Sequence, residues 1–324
     1  MRTLVTGAAG FIGASLAKDR VRRGDDVVVF DRKSIEWPGV AEAHVADLGD
    51  EAALKRALVG VDVVQNLAAA HLDQSTPDAE YRRVNVDAVR TLVALAKEAG
   101  VRRFVQCSSV GVFGSVEDPP AAEDADKNPA SIYENTKLAG ERAALEEGGR
   151  VGLDVVVVRP AWVYGPGCPR TRRLLRMIAK GRFLYFGSGR ILRHPIHIDD
   201  MLQGFDLAGT TGPAGAIYNI AGPDSVPLSA LVDAAAKALE VRAPRLKVPF
   251  AVGWCAAVVG ETLLKPFGRT SPITRRSLCF FGSVNSYSIE AARRELGYAP
   301  VVGLGEGMKR VVTELGGRAG VLGS

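Results

Sequence analysis

Runs of β-branched residues separated by helix-like stretches constrain this chain more than any other feature. "TLVTG" (3–7), "DVVVF" (26–30), "VDVVQNLAA" (61–69), "RFVQCSS" (103–109) and "DVVVVRP" (154–160) read as strands. They are nearly continuous in apolar residues, as strands buried on both faces must be. Between them lie amphipathic segments such as "DAEYRRVNVDAVRTLVALAKEAG" (78–100), whose apolar positions recur at helical spacing. This alternation predicts a parallel α/β sheet covered on both faces, and right-handed crossovers make it the doubly wound, Rossmann-type arrangement. After about residue 165, Pro and Gly recur every few residues, and "AIYNIAGP" (216–223) predicts one more strand of the main sheet. The reading assigns 1–165, with a return strand near 191–222, to the main domain. It assigns 166–190 and 223–324 to a smaller C-terminal lobe, with a ligand held between the two at the carboxyl ends of the strands.

Composition narrows the partners. Lys plus Arg number 41 against 36 Asp plus Glu, a formal charge of +5. Spread along the chain, that excess is too weak to indicate nucleic acid. Cys107, Cys168, Cys255 and Cys279 form no C-x-x-C pair, which predicts reduced thiols in a cytoplasmic protein. "RTLVTG" follows Met1 as a strand rather than as a secretory leader. The longest apolar run, "VPFAVGWCAAVVGETLL" (248–264), falls short of the ~20 residues a membrane span needs. It predicts a buried or pocket-lining helix, with contact to a membrane surface the lesser reading.

"TGAAGFIG" (6–13) follows the first strand and opens a helix. Gly7 permits a tight turn, Gly10 lets a pyrophosphate approach the helix N-terminus, and Gly13 lets helix and strand pack closely. Three glycines alone are weak evidence. Here they sit between strand and helix and are followed by Asp31 at the end of the second strand, which marks a dinucleotide turn. Asp31 is placed to accept hydrogen bonds from an adenosine ribose and to repel a 2′-phosphate, which favours NAD. Arg32 reads as a solvated residue, yet its guanidinium leaves NADP open.

The segment 131–147 predicts a helix, with Ser131 and Glu134 at the spacing of a capping box. Tyr133 falls in the first turn, where the dipole stabilises an anion, and Lys137 lies four residues on along the same face. Bringing a phenol from about 10 towards 7 takes ~4 kcal/mol of preferential phenolate stabilisation. A near ammonium, the helix N-terminus and a cationic nicotinamide are expected to supply it together, making a proton donor and acceptor near neutral pH. "CSSVGVFG" (107–114) ends a strand with two serines at the same sheet edge.

With these motifs the sequence resembles the extended short-chain dehydrogenase/reductase family, also called NAD-dependent epimerase/dehydratase. The resemblance spans nearly the whole chain and rests on "TGAAGFIG", Asp31, "ADL" (46–48), "NLAA" (66–69), "VNV" (84–86), "SSVGVFG", "YENTK", "RPAWVYGPG" (159–167), "HIDD" (197–200) and "ARRELGYAP" (292–300). It implies catalysis by Ser109, Tyr133 and Lys137, with hydride passing between nicotinamide C4 and a carbinol carbon. Tyr133 exchanges the hydroxyl proton, Lys137 lowers its pKa and holds the ribose, and Ser109 binds the substrate oxygen beside Ser108. Along NAD the resemblance places Gly7, Gly10, Phe11, Ile12, Gly13, Asp31, Arg32, Asp47, Leu48, Leu67, Ala68, Ala69, Asn85, Pro160 and Val163, together with Tyr133 and Lys137. Ser108, Trp162 and Arg193 are implied at the substrate. Members often pair through helices like 78–100 and 131–147, so a homodimer is suggested.

The same comparison leaves three functions open. Dehydratases of the family carry Asp-Glu after the catalytic hydroxyl residue, where this chain has Val110 and Gly111. Neither side chain moves a proton, so sugar dehydration is disfavoured. Nucleotide-sugar epimerases carry an arginine matched by Arg193. However, Trp162 replaces their asparagine, and a second expected arginine falls in "LCFFGS" (278–283). Losing a cation to a diphosphate costs ~1.5–3 kcal/mol per charge-assisted bond. The second lobe therefore looks more like 3β-hydroxysteroid dehydrogenase-like members, which act on lipophilic or small alcohols and ketones. Net oxidoreduction is preferred, epimerisation is the alternative, and a non-catalytic dinucleotide sensor is the third. His194, His197, Asp199 and Asp200 read as an inter-lobe loop, with no metal expected. "RTRRLLRMIAKGR" (170–182) reads as a solvated basic helix face in preference to a cover for an anionic substrate group or a membrane surface.

Overall fold

In the computed structural model the described residues are 1–35, 37–71, 76–264, 271 and 274–323. Residues 265–270 of the expected smaller lobe lie outside them. Strands β1 (Arg2–Thr6), β2 (Asp26–Asp31), β3 (Glu42–Val45), β4 (Val63–Asn66), β5 (Arg103–Cys107), β6 (Asp154–Pro160), β7 (Trp162–Tyr164), β8 (Tyr185–Phe186), β9 (Leu192–Arg193), β10 (Pro195–His197), β11 (Ile217–Ile220), β12 (Val226–Pro227) and β13 (Lys247–Val248) follow in order. Helices α1 (Phe11–Arg22), α2 (Glu51–Ala57), α3 (Asp78–Arg82), α4 (Ala88–Glu98), α5 (Ile132–Val151), α6 (Pro169–Ala179), α7 (Ile198–Thr210), α8 (Leu228–Ala238), α9 (Phe250–Leu264), α10 (Arg275–Gly282), α11 (Glu290–Leu296), α12 (Leu304–Glu314) and α13 (Gly317–Gly323) intervene.

Seven strands form the main sheet in the order β11-β6-β5-β4-β1-β2-β3, every pair parallel. Successive residues feed opposite faces, which is why the valine runs need no polar alternation. Val5, Val27, Val29, Val105, Val156 and Val158 pack on the face covered by α1 and α7. Leu4, Val28, Phe30, Val64, Phe104 and Val155 pack on the face covered by α2, α4 and α5. Each fully buried Val, Leu or Phe contributes ~1.5–3 kcal/mol, so both layers are needed to hold the sheet. The winding reverses between neighbouring β1 and β4, and the loops after these two strands open the crevice where ligands of such sheets sit.

Four features depart from the sequence reading. First, β3 joins the far edge, where it is short and largely exposed. Second, the expected helix over 78–100 contains a π-helical turn at Arg83–Asp87 between α3 and α4. Third, Tyr287, Ile289, Ala292, Leu296 and Tyr298 pack in the core beneath the main sheet. The chain therefore returns to the main body after α10, although 223–324 is assigned above to the smaller lobe.

The fourth correction concerns α9. It is not buried: Gly253 and Ala257 face inward, whereas Val252, Val259 and Leu263 are 56%, 54% and 64% exposed. An evenly apolar helix has no face that its sequence singles out for burial. No helix among the described residues is long and apolar enough to cross a membrane. The smaller lobe has its own core, where Tyr164, Leu175, Phe183 and Tyr185 meet Leu231, Val232 and Ala235 of α8 and Met308 and Val311 of α12.

Candidate active site

The glycine turn is shaped by close approaches. Gly7 has φ +67°, and a Cβ there would stand 2.7 Å from the Ala68 nitrogen and the Leu67 carbonyl carbon. At Gly13 a Cβ would stand 2.3 Å from the Gly7 oxygen, so α1 lies directly on the turn. Gly10 differs, since a Cβ would meet only the Gly7 oxygen at 3.2 Å. No side chain caps α1. Its free N–H groups thus face an open space, as a pyrophosphate site requires. Phe11 and Ile12 are half-buried in the first turn, and the Phe11 ring lies beside Gly165 after β7. Asp31, the residue expected at the ribose, ends β2 and accepts from Ala9 N–H and Lys33 N–H at 3.0 Å each. These residues fit a dinucleotide.

The adenosine end carries more charge than its motif suggests. Arg83 forks both nitrogens onto Asp47, at 2.6 and 3.0 Å, and also bonds Glu80. The Arg83 bonds hold the Asp47 carboxyl well down, at about 2. Arg32 is exposed, with its nearest acid Glu80 at 3.7 Å. Leu48 is buried in the core beneath α2 rather than open to a ring.

A buried polar ladder aligns the strand ends. Thr6 Oγ1 donates to Asn66 Oδ1 at 2.5 Å, and Asn66 Nδ2 donates to Gln106 Oε1 at 2.8 Å, joining β1, β4 and β5. Thr6 Oγ1 also accepts from Ala68 N–H. The loop of half-buried Leu67, Ala68 and Ala69 is tied further by Asn85, in the π-helical turn. Asn85 bonds the Ala70 N–H and carbonyl and donates to Thr136 on α5. All its polar atoms are used within the protein. Its place is therefore to fix the cofactor loop against α5, where the resemblance implies a position along the cofactor.

Helix α5 begins at the capping box, in which Ser131 Oγ accepts from Glu134 N–H and the Glu134 carboxylate accepts from Ser131 N–H. Ser109 caps the one-turn 3₁₀ helix Val110–Phe113 and accepts from Gly111 N–H at 3.0 Å. A Cβ on Gly111 would meet Glu134 Cγ at 3.1 Å and Ser109 Oγ at 3.2 Å. Ser109 and the first turn of α5 thus share one corner. Lys137 is buried and donates to the Cys107 carbonyl at 2.5 Å, anchoring α5 to the end of β5. Val110 is packed in the core. Pro160 closes β6, and Val163 pairs with Ile196 in β7–β10.

Two expectations about this corner are corrected. The Tyr133 phenol is raised, not lowered, because burial dominates, with Cys107, Glu134 and Tyr81 adding to it. Arg170 acts the other way. Lys137 is itself lowered by burial, and its ammonium is aimed at a carbonyl. Protein groups alone therefore keep the phenol protonated. Ser108 is the second correction. Its hydroxyl donates to Glu141, whose carboxylate is forked by buried Arg159 at 2.9 and 2.7 Å. That network holds α5 to β6, uses the Ser108 hydroxyl within the protein and leaves the residue 3% exposed.

The surroundings of Trp162 and Arg193, the residues expected at the substrate, are aromatic. Trp162 stacks on Tyr164, with ring centres 6.0 Å apart, and meets Phe280 edge-on at 6.4 Å. Phe280, Phe281, Phe183 and Phe186 continue the contact series. Arg193 sits over Phe280 at 4.6 Å and donates from Nη1 to Ser283 O and Asn285 Oδ1. It is 4% exposed, and its Nε and Nη2 have no partner among the described residues. Burial without an acid lowers it to about 10. His194 accepts from Tyr287 N–H and donates to Gly222 O, while Asp200 accepts from Val301 and Val302 N–H. These residues stitch the two parts of the molecule.

One pair had no sequence signal. The His71 ring meets Tyr133 edge-on at 4.9 Å, and Arg170, 99 residues away, bonds His71 Nε2 at 2.5 Å.

Comparison with known proteins places this geometry among others. A profile of the NAD dependent epimerase/dehydratase family matches residues 3–221. The chain is similar to a 4-hydroxy-2-methyl-3-oxo-4-farnesyl-3,4-dihydroquinoline-1-oxide ketoreductase of Stigmatella aurantiaca, at 30% identity over 92% of each chain. It is similar to a 2-alkyl-3-oxoalkanoate reductase of Stenotrophomonas maltophilia, at 30% over 96% of this chain and 98% of the other. Among solved structures, MoeE5 in complex with UDP-glucuronic acid and NAD superposes with a TM-score of 0.78 at 28% identity, covering 97% and 98% of the two chains. Other relatives include a dTDP-glucose 4,6-dehydratase of Streptomyces griseus and a sterol-4-alpha-carboxylate 3-dehydrogenase of Mus musculus.

Proposed function

Since the chain belongs to the NAD-dependent epimerase/dehydratase family of enzymes, we propose that it is an oxidoreductase interconverting a lipophilic secondary alcohol and its ketone with NAD. The observation that carries this reading is the aromatic cluster of Trp162, Phe280, Phe281 and Phe186, packed against the core ring of Phe183. Such a cluster favours apolar ligands and offers a sugar few hydrogen-bond partners. The 3-oxoalkanoate, quinoline-oxide and sterol relatives, each named for a keto or hydroxy group on a lipophilic frame, support it.

Bound NAD supplies the hydride acceptor or donor at its nicotinamide ring. Gly10 and the uncapped start of α1 hold the pyrophosphate, and Asp31 holds the adenosine ribose. Tyr133 exchanges the proton of the substrate oxygen, and Ser109 hydrogen-bonds that oxygen from the 3₁₀ turn. Lys137 contributes positive charge beside them while fixing α5 to β5. The phenol stays protonated at neutral pH, the form that ketone reduction consumes. Val110 and Gly111 supply neither the acid nor the base that water elimination needs.

One observation favours a second reading, epimerisation of a nucleotide sugar without net redox. Arg193 is a buried guanidinium lacking an acid, and an anionic substrate group such as a diphosphate would compensate it. The test is to incubate purified protein with NAD or NADP and either lipophilic alcohols or UDP-glucose. Net nicotinamide reduction with the alcohols is expected. Interconversion of the nucleotide sugar without net redox, abolished in Arg193→Met, would replace the first reading with the second.

A further inference from the structure

Arg170 stands in the first turn of α6, where no acidic side chain offsets it. Its hydrogen bond among the described residues is to His71 Nε2. Because the guanidinium can only donate, that ring nitrogen is the acceptor of the pair. The same ring meets Tyr133 in a T-shaped contact, with ring centres 4.9 Å apart. A fixed positive charge therefore lies one imidazole away from the phenol that exchanges the substrate proton. It is on the exposed side of the corner, distinct from buried Arg193 behind Phe280. The helix N-terminus points its dipole in the same sense. This is more than a solvated basic face requires, since a solvated arginine has no reason to be oriented by a histidine in edge contact with Tyr133.

We propose that Arg170, oriented by His71, is a specificity-determining residue that reads a carboxylate on the carbon next to the carbinol carbon of the substrate. The reading follows from reach. A group one carbon from the reacting centre lies a few ångströms from the oxygen bonded to Tyr133, which is the span of the His71 ring. A carboxylate there meets a planar fork of donors, the geometry in which guanidinium and carboxylate pair best. The proposal rests on the alcohol–ketone chemistry assigned above to Tyr133. The same chemistry can come from two sources: a lipophilic 3-hydroxy acid, or a uronic acid, whose carboxylate adjoins C4 through C5.

The experiment compares wild type with Arg170→Gln and Arg170→Lys on two matched pairs. These are a 2-alkyl-3-hydroxyalkanoate against its methyl ester, and UDP-glucuronate against UDP-glucose. The readout is the ratio of kcat/KM for the carboxylate to that for its neutral partner. In the pair that wild type turns over, the ratio is expected to exceed one and to fall ~10- to 100-fold in Arg170→Gln, the range of a charge-assisted bond, with partial recovery in Arg170→Lys. The pair that shows the fall names the source. Wild type that turns over the ester or UDP-glucose as well as the acid overturns the proposal while the alcohol chemistry stands. So does a ratio that Arg170→Gln leaves unchanged because both members fall together. Wild type that turns over neither pair removes the alcohol chemistry and the proposal with it.

Discussion

Substituting the glycines of the first turn one at a time separates the part of the motif that shapes the fold from the part that meets the ligand. At Gly13 an added Cβ would stand 2.3 Å from the Gly7 oxygen, 2.9 Å from the Gly7 carbonyl carbon and 3.0 Å from Ala8 Cα. Carbon contacts are comfortable near 3.5–4.0 Å, so α1 must move out by about an ångström. Overpacking of this kind costs ~1–3 kcal/mol. Gly13→Ala should therefore lose that much stability in urea unfolding followed by tryptophan fluorescence, and should bind NAD more weakly as well. At Gly10 the backbone, at φ −76°, suits any residue, and the single contact is 3.2 Å. Alanine there gains ~0.4–1 kcal/mol through the unfolded chain, which offsets the tight contact. Gly10→Ala should keep the urea midpoint and still weaken NAD tenfold or more, about 1.4 kcal/mol, in calorimetric titration. NAD bound as tightly by Gly10→Ala as by the parent would show that the pyrophosphate does not lie over this residue. Unchanged stability in Gly13→Ala would refute the close seating of α1.

Tyr133→Phe should lose most turnover yet titrate with NAD like the parent; turnover within about tenfold of wild type would remove the proton-transfer role. Because burial raises the phenol, oxidation, which needs the phenolate, should quicken steadily from pH 7 to about 9.5, and ketone reduction should slow over the same interval; two flat profiles would exclude Tyr133 as the titrating group. Asp31→Ala should weaken NAD more than NADP, with Arg32 already exposed beside it, and an unchanged preference in paired titrations would show that Asp31 does not read the ribose. Asn85→Leu strands the buried Ala70 N–H and carbonyl and should cost about 2–4 kcal/mol in urea unfolding; a loss below about 0.5 kcal/mol would mean that the loop finds other partners.

What the sequence made legible was what local chemistry decides. The capping box at Ser131 and Glu134, the turn at Gly7 and the close seating at Gly13 depend on neighbours in the chain, so their spacing carries them, whereas the approach of Leu67 and Ala68 to Gly7 is tertiary. Strand β3 escaped because "EAHV" is short, polar and half outside. The π-helical turn escaped because the side chain of Asn85 sets it through Ala70 and Thr136, which no helical periodicity encodes. Ser108 and Ser109 are adjacent, and only the tertiary position of Glu141 shows which hydroxyl is turned inward. The direction of the Tyr133 shift depends on burial by packing, and the His71–Arg170 contact joins segments 99 residues apart. Neither could be read from spacing.

The bonded side chains of Thr6, Asn66 and Gln106 give three adjacent strands a common ledge. Loops leaving a ledge can be lengthened, shortened or re-decorated without tilting the floor beneath the dinucleotide. Residues on those loops, His71 among them, have room to vary while the ends of the three strands stay where they are. Such a separation is consistent with relatives at 26–31% identity that bear the names of ketone, sterol and sugar enzymes.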